Sequence, residues 1–471
     1  MRRALVLGDL AEWRAGLAAA GIEVVDKIRA DTELVVAKPE RARDAAALGA
    51  AALIVDGRTG TSVGGYPSVQ RFLARPNRLS PALLLPLDQP TAAAYGASHA
   101  SVVDRRWKAV RRDIAANLLR RRRWPPVGAR MTVAQSEPAP PALVGAACEL
   151  GLPAELAWFM VLGQGDALSR NVFFLFRPEE EEPEWVLKFA RVADYSDPFD
   201  RDEHGLRRVA AAADVVAAHA PRLVGRFVWE GIHASVETAA RGTRLRELLT
   251  SSISQARKLR LVDDVAEWIV SAGAATAQPP DALTAERGRL LEEVVPHWRT
   301  VGATDDLVLR LPALPAVLQH NDLGSWNVLM QPPGFTIVDW ESSRSLGLPL
   351  WDLLYFLADA LALIDGETEG EIRHLHTRAL FRGERPLSGR LFSWVGRAVS
   401  ELGVPPDAVG AIATLCWLDH SLSPARRSGT LDRLAPPAAA RLHGTELNAE
   451  TWLADDALGP RWNAWRRASA S

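Results

Sequence analysis

The stretch LQHNDLGSWNVLMQPPGFTIVDW, residues 318–340, constrains this chain more than any other. It gathers His320, Asp322, Asn327 and Asp339 between short apolar runs. Asp322 and Asn327 fall in H-x-D-x-x-x-x-N, a spacing that puts a carboxylate and a carboxamide on one short loop between LPAVLQ and VLM. Asp339 ends the apolar run FTIV, which reads as a strand. Moving a phosphoryl group onto a hydroxyl needs a carboxylate to orient the hydroxyl and accept its proton. It also needs oxygen ligands for magnesium on the nucleotide phosphates. This segment holds both kinds of group. An isolated HxDxxxxN also arises in unrelated chains, so the neighbouring segments carry part of the argument.

Upstream, FMVLGQGDALSRNVFFLF sets a turn with Gly163 and Gly165 before an apolar strand. RPEEEEPE then reads as a polar hairpin loop and WVLKFARV as a second strand carrying Lys188. DRDEHGLRRVAAA begins a helix with Glu203 in its first turns. A solvated lysine on a hairpin is the plain reading of Lys188. A strand lysine braced by a helix carboxylate is the chemical one. RLVGRFVWEG and HASVETAARGTRLRELL add two more strands and a helix, and GLPLWDLLYFL puts Asp352 on an otherwise apolar helix.

Together these residues resemble the aminoglycoside phosphotransferase and choline kinase superfamily over about residues 144–471. The resemblance implies an α+β, two-lobed, protein-kinase-like fold with a small antiparallel-sheet lobe and a large, mostly helical lobe. It gives Asp322 the role of catalytic base and has His320 brace the loop. Asn327 and Asp339 become the magnesium ligands. Lys188 is expected to contact the phosphates, braced by Glu203 in the R-x-E-H pattern, with Asp202 and Glu230 as rival partners. Gly163 and Gly165 fall at the phosphate turn, although GQGDALS is not a GxGxxG loop. The purine is expected on backbone groups from Glu237 to Ala239, followed by Gly242 and Leu245 at the turn into the large lobe. The cofactors implied are ATP and magnesium, with GTP left open because backbone recognition leaves little side-chain trace. Asn321 stands where the family usually has glycine, and asparagine tolerates positive φ better than most residues.

At 471 residues the chain is too long for one ordinary core. Hydrophobic residues at 48% and charged residues at 24% are those of a soluble globular protein, and no apolar run reaches membrane-helix length. MRRALVLGDLAEW lacks the apolar core and cleavage site of a signal peptide. Cys148 and Cys416 make neither a disulfide framework nor a metal site, which fits a reducing cytoplasm, and both read as buried apolar fillers. Residues 1–130 carry 22 Lys and Arg against 12 Asp and Glu, leaving the remainder acidic.

Residues 1–119 alternate short apolar runs with helical stretches, so an α/β, Rossmann-like domain with a parallel sheet is expected. Asp9, Asp26, Asp56 and the glycines of DGRTGTSVGG fall at strand ends, where such sheets bind cofactors. The first turn, LGDLAEW, has only Gly8 and does not encode a close approach to a pyrophosphate. The basic helix 105–123 sets Trp107, Val110, Ile114 and Leu118 on one face expected to pack on the sheet. Its arginines read as a solvated face in preference to a nucleic-acid surface, and they offer a site for a protein partner. Residues 120–143 are Pro- and Arg-rich and read as a linker, followed by the small lobe at 144–240 and the large lobe at 241–471.

Trp268, Trp298, Trp351 and Trp417 read as core, whereas Trp326, beside Asn327, is a candidate wall of the site. Asp365, Glu367, Glu369 and Glu371 form a solvated acidic loop or a surface for a cationic acceptor, and Glu341 and Ser342 lie nearer the chemistry. The expected activity is ATP-dependent phosphorylation of a hydroxyl on a small molecule such as an amino sugar or amino alcohol. The competing readings are a pseudokinase-like nucleotide-binding scaffold and a cofactor-dependent transferase centred on residues 1–119.

Overall fold

Two compact units divide the chain: Met1–Glu203 with Pro221–Arg241, and His204–Ala220 with Gly242–Ser471. The computed structural model describes residues 3–470 apart from 8–9, 20–21, 28, 30–31, 49, 58–65, 67, 77–81, 101–105, 124–127, 136–139, 164–169, 192–194, 368–369, 428–452 and 454–457. Gly8, Asp9, Gly165, Glu369 and the glycine-rich stretch 58–65 therefore lie outside the described residues, as do the side chains of Trp107 and Glu371.

The first unit is built on one twelve-stranded sheet. Its strands are β1 (Arg3–Leu7), β2 (Glu23–Val25), β3 (Thr32–Ala37), β4 (Ala52–Asp56), β5 (Ser68–Arg75), β6 (Leu83–Pro86), β7 (Ala129–Gln135), β8 (Ala157–Val161), β9 (Asn171–Phe176), β10 (Trp185–Phe189), β11 (Leu223–Trp229) and β12 (Ile232–Thr238). They are ordered β11-β12-β10-β9-β8-β6-β5-β7-β4-β3-β1-β2. Its helices are α1 (Ala11–Ala19), α2 (Ala42–Ala46), α3 (Pro90–His99), α4 (Arg106–Arg120), α5 (Pro141–Leu150) and the first half of α6 (Asp197–Ala210). Strand side chains alternate between two faces. Val36, Phe72, Trp158 and Leu175 share one core with Trp13 and Leu17 of α1 and Ala146 of α5. Their neighbours Leu73, Phe159 and Phe176 turn to the other face and pack with α3 and α4.

Three expectations are corrected here. The parallel arrangement extends only over β1–β4, and every later strand joins antiparallel, so the parallel, Rossmann-like sheet expected over residues 1–119 stops at β4. Residues 129–135, read as linker, form β7 between β4 and β5, because the alternation in ARMTVAQ suits a strand with Met131, Thr132 and Ala134 buried. β6 pairs with β8, so the N-terminal region and the Lys188 hairpin share one sheet.

The face by which α4 packs is also different. Ala115, Ala116 and Leu119 are buried, while Val110 and Ile114 are 58% and 54% exposed. Small alanines allow close approach to α3, which the larger residues would prevent. Cys416 is buried, but Cys148 is exposed.

The second unit takes the rest of α6 and α7 (Asp214–Ala217), then α8 (Leu245–Thr250), α9 (Gln255–Thr276), α10 (Thr284–Arg289), α11 (Val295–Trp298) and α12 (Asp306–Leu309). Short strands follow: β13 (Thr243–Arg244), β14 (Val317–Gln319), β15 (Val328–Gln331), β16 (Gly334–Ile337) and β17 (Arg344–Gly347). Next come α13 (Trp351–Ile364), α14 (Gly370–Phe381), α15 (Ser388–Glu401) and α16 (Val409–Arg427), with a last helix at Leu458–Ala470. Trp298 and Trp351 are fully buried and Trp268 nearly so, as expected of core residues. Among the described residues no helix is long and apolar enough to cross a membrane.

Candidate active site

The loop 320–327 hangs between β14 and β15, and α13 holds it from below. That helix reads WDLLYFLADALALI, apolar but for Asp352 and Asp359. Seven residues separate the two, which puts both on one helix face two turns apart. Asp352 Oδ2 accepts the His320 amide at 2.7 Å and its Oδ1 accepts the Asn321 amide at 2.8 Å. Asp359 accepts the Ser325 amide at 2.8 Å. Burial pushes the Asp352 carboxyl above the ordinary carboxylate range, against the pull of His320 and the two amides. Asn321 takes the left-handed conformation at φ 64, so the turn expected of a glycine survives with asparagine. Replacing Asp352 with asparagine turns one amide acceptor into a donor. The expected loss is about 1.5–3 kcal/mol of stability, read by urea denaturation, together with slower turnover from a misplaced loop.

His320 ties the loop to the strand on the other side. Its Nε2 donates to the Val338 carbonyl at 2.9 Å, and its Nδ1 accepts the Asp322 amide at 3.3 Å. Its ring packs on Trp340 at 4.6 Å between centroids. One imidazole thus fixes the backbone of Asp322 and the residue before Asp339. Asn327 Nδ2 donates to the Asp322 carbonyl at 2.9 Å, which leaves Asn327 Oδ1 as a neutral oxygen donor of the kind magnesium takes. Asp339 is also left-handed, at φ 68, and opens the 3₁₀ turn Trp340–Ser342. Such strain in a non-glycine residue persists only where the surroundings enforce it, and it is common at functional sites. Among the described residues no group of three His, Cys, Asp or Glu could hold a metal. An amide and a carboxylate fit magnesium whose remaining ligands come from phosphate and water.

Beyond Asp339, four charges close a ring. Arg344 contacts Glu286 at 3.2 Å and Asp419 at 3.0 Å, and Arg289 contacts the same two acids at 2.7 and 2.9 Å. Both acids are buried, so the ring pins the start of β17 to α10 and α16. Trp326 packs edge-on against Tyr355, whose ring stacks on His420 at 4.1 Å. Asp365 contacts His376 at 2.7 Å and Arg385 at 3.6 Å, and Glu367 contacts Arg385 at 3.7 Å, so these two acids have cationic partners within the chain.

The Lys188 set lies in the first unit. Lys188 Nζ sits 2.8 Å from Asp202 and 3.0 Å from Glu237, with Arg170 3.3 Å from Asp202. The expected brace is thereby corrected: Asp202, not Glu203, turns to the lysine, and Glu203 pairs with Arg226 at 3.3 Å. Adjacent helix residues point about 100° apart, and only Asp202 is on the buried face of α6. Burial opposes the charge on Asp202, but Lys188 and Arg170 together hold its carboxyl below the usual range. Burial pushes Glu237 up to about 7, against the pull of Lys188.

Glu237 was expected to serve through its backbone, yet its side chain contacts Lys188. The Ala239 amide already donates to the Glu184 carbonyl at 2.8 Å, so it does not stand open for a purine. The Gly163 amide donates to Asn171 Oδ1 at 3.2 Å. Sequence reading gave no part to Arg170 or Asp359, and the one available signal was for Asp359, an acid seven residues from Asp352 in an apolar helix.

Residues 163–390 match the phosphotransferase enzyme family, APH, and the match spans the Lys188 hairpin, the 320–327 loop and Asp339. This segment is similar to that family. The match covers just under half of the chain, and the roles of the loop are read in the light of that likeness. No curated protein matches the chain. Among solved structures, aminoglycoside phosphotransferase APH(3'')-Id from Streptomyces rimosus is 15% identical, with a TM-score of 0.33 over 55% of this chain and 91% of that one. Choline kinase from Cryptosporidium parvum is 12% identical, with a TM-score of 0.33 over 67% and 89%. A glucosamine kinase is 14% identical, with a TM-score of 0.29 over 72% and 85%. The likeness to the family rests on the match over residues 163–390.

Proposed function

We propose that the chain transfers the γ-phosphoryl group of ATP to a hydroxyl of a small molecule, an amino sugar or amino alcohol being the favoured class. The observation that carries this reading is the loop 320–327. Its backbone is fixed by Asp352, Asp359 and His320, and the Asp322 carboxylate is presented from it. Asp322 orients the acceptor hydroxyl and takes its proton. Asn327 and Asp339 would hold magnesium, which when bound neutralises charge on the phosphates. Lys188, held by Asp202 and Glu237, supplies a cation for the phosphates. Catalysis on this reading is positioning and charge neutralisation.

The test is turnover of ATP and of GTP, with magnesium, against a panel of amino sugars, amino alcohols and nucleoside-like acceptors. Phosphorylated acceptor, detected by mass spectrometry, is the expected product. A chain that binds no nucleotide and phosphorylates nothing in the panel sinks the reading.

A further inference from the structure

The turn after Asp339 is gripped from a side the mechanism does not use. Gly205 lies in the buried face of α6, and a Cβ placed there would sit 2.2 Å from the Trp340 carbonyl oxygen and 3.1 Å from Ser343 Oγ. One turn on, Arg208 Nη1 donates to the Ser343 carbonyl at 2.5 Å and to Ser343 Oγ at 2.8 Å. The Ser343 amide in turn donates to the Trp340 carbonyl at 3.1 Å, so the helix closes over a ring of backbone bonds. Behind the same turn, the Trp340 indole donates to the Ile337 carbonyl at 2.9 Å and its ring rests on His320. Asp339 begins this turn in a left-handed conformation that it would not hold unaided.

Resting on the phosphotransferase reading, we propose that Arg208 and Gly205 are positioning residues for magnesium. The helix surface around Gly205 sets the height of the Trp340–Ser343 turn, and Arg208 locks its far end. The Asp339 carboxylate is thereby kept in the one pose that serves a metal. Arginine is suited to this because a single guanidinium nitrogen carries two N–H donors, one for the carbonyl and one for the hydroxyl of the same residue. Groups that orient a metal ligand typically change metal affinity by about 10–100-fold when removed.

The measurement is ADP affinity of the full chain by calorimetry, with and without magnesium, joined by direct Mn²⁺ titration read by electron paramagnetic resonance. In Arg208→Gln the magnesium-dependent gain in ADP affinity and the Mn²⁺ affinity are expected to fall about 10-fold or more, with magnesium-free ADP affinity unchanged. Arg208→Lys should lie between it and the parent chain. Ser343→Ala, which removes the hydroxyl bond and keeps the carbonyl bond, should show a smaller fall while folding normally. Gly205→Ala should reproduce the effect by pushing on the turn. Arg208→Gln and Ser343→Ala variants that retain the parent magnesium gain and Mn²⁺ affinity overturn the proposal. A parent chain with no magnesium-dependent gain at all removes the phosphotransferase reading itself, a different result, and the proposal falls with it.

Discussion

Asp322→Ala is expected to slow phosphoryl transfer by about 10²–10⁴-fold, the usual worth of a positioned base, while nucleotide affinity stays at the parent value. The separation follows from how the loop is held. The Asp322 amide is fixed by His320 and its carbonyl by Asn327 and the Gly324 amide, and alanine keeps every one of those bonds. Only the carboxylate is lost. Asp322→Asn is the stricter variant, since it preserves shape and removes basicity. Both should melt close to the parent chain. Single-turnover measurements with bound nucleotide would separate the chemical step from release. Full turnover in either variant rules out Asp322 as the base.

The second large effect concerns stability. Lys188→Met is expected to cost about 3–5 kcal/mol, because it strands the Glu237 carboxyl inside the first unit and leaves Asp202 with Arg170 alone. The side chains of Asp202 and Glu237 are only 2% and 8% exposed. The cost depends on pH, with a sign set by Glu237. Its folded pKa, about 7, lies above its ordinary 4.5. The folded state therefore holds a proton that the unfolded chain releases, and stability from this group is full below pH 4.5 and lost as pH rises through 7. Without Lys188 the carboxyl has even more reason to stay protonated. Urea denaturation should show a penalty smaller at pH 5.5 than at pH 8, and Glu237→Gln should flatten the slope in the parent chain. A penalty independent of pH would mean that Glu237 is not the group that titrates.

How much of this was legible before the fold was seen varies with distance along the chain. His320, Asp322, Asn327 and Asp339 form one local device, a loop between short strands, and their order alone carries the geometry. Lys188 was legible as the centre of a cluster, but its partner was displaced by one residue. The choice between Asp202 and Glu203 is a rotation about the α6 axis, and tertiary burial decides it. The segment expected to hold the purine was less accessible still, because backbone bonds such as Ala239 to Glu184 have no side-chain signature. β7 was hidden by its company. Pro- and Arg-rich flanks suggested a linker, whereas a strand that pairs with residues 52–56 and 68–74 is specified by partners 55 to 83 positions away. The face of α4 was misread because its alanines, poor in hydrophobicity, are what permit close helix packing.

The pairing of β6 with β8 has a practical consequence. A chain cut at about residue 143, where composition suggests a boundary, would separate Leu83 and Leu84 from Val161 and Met160. β8 would become an open edge with unpaired amides and an apolar face stripped of its cover, a template for association between copies. Fragments carrying only the recognisable phosphotransferase segment are thus expected to aggregate when expressed alone. Selection would then act on the two regions as one heritable block, since neither could be exchanged without supplying the other with a replacement strand.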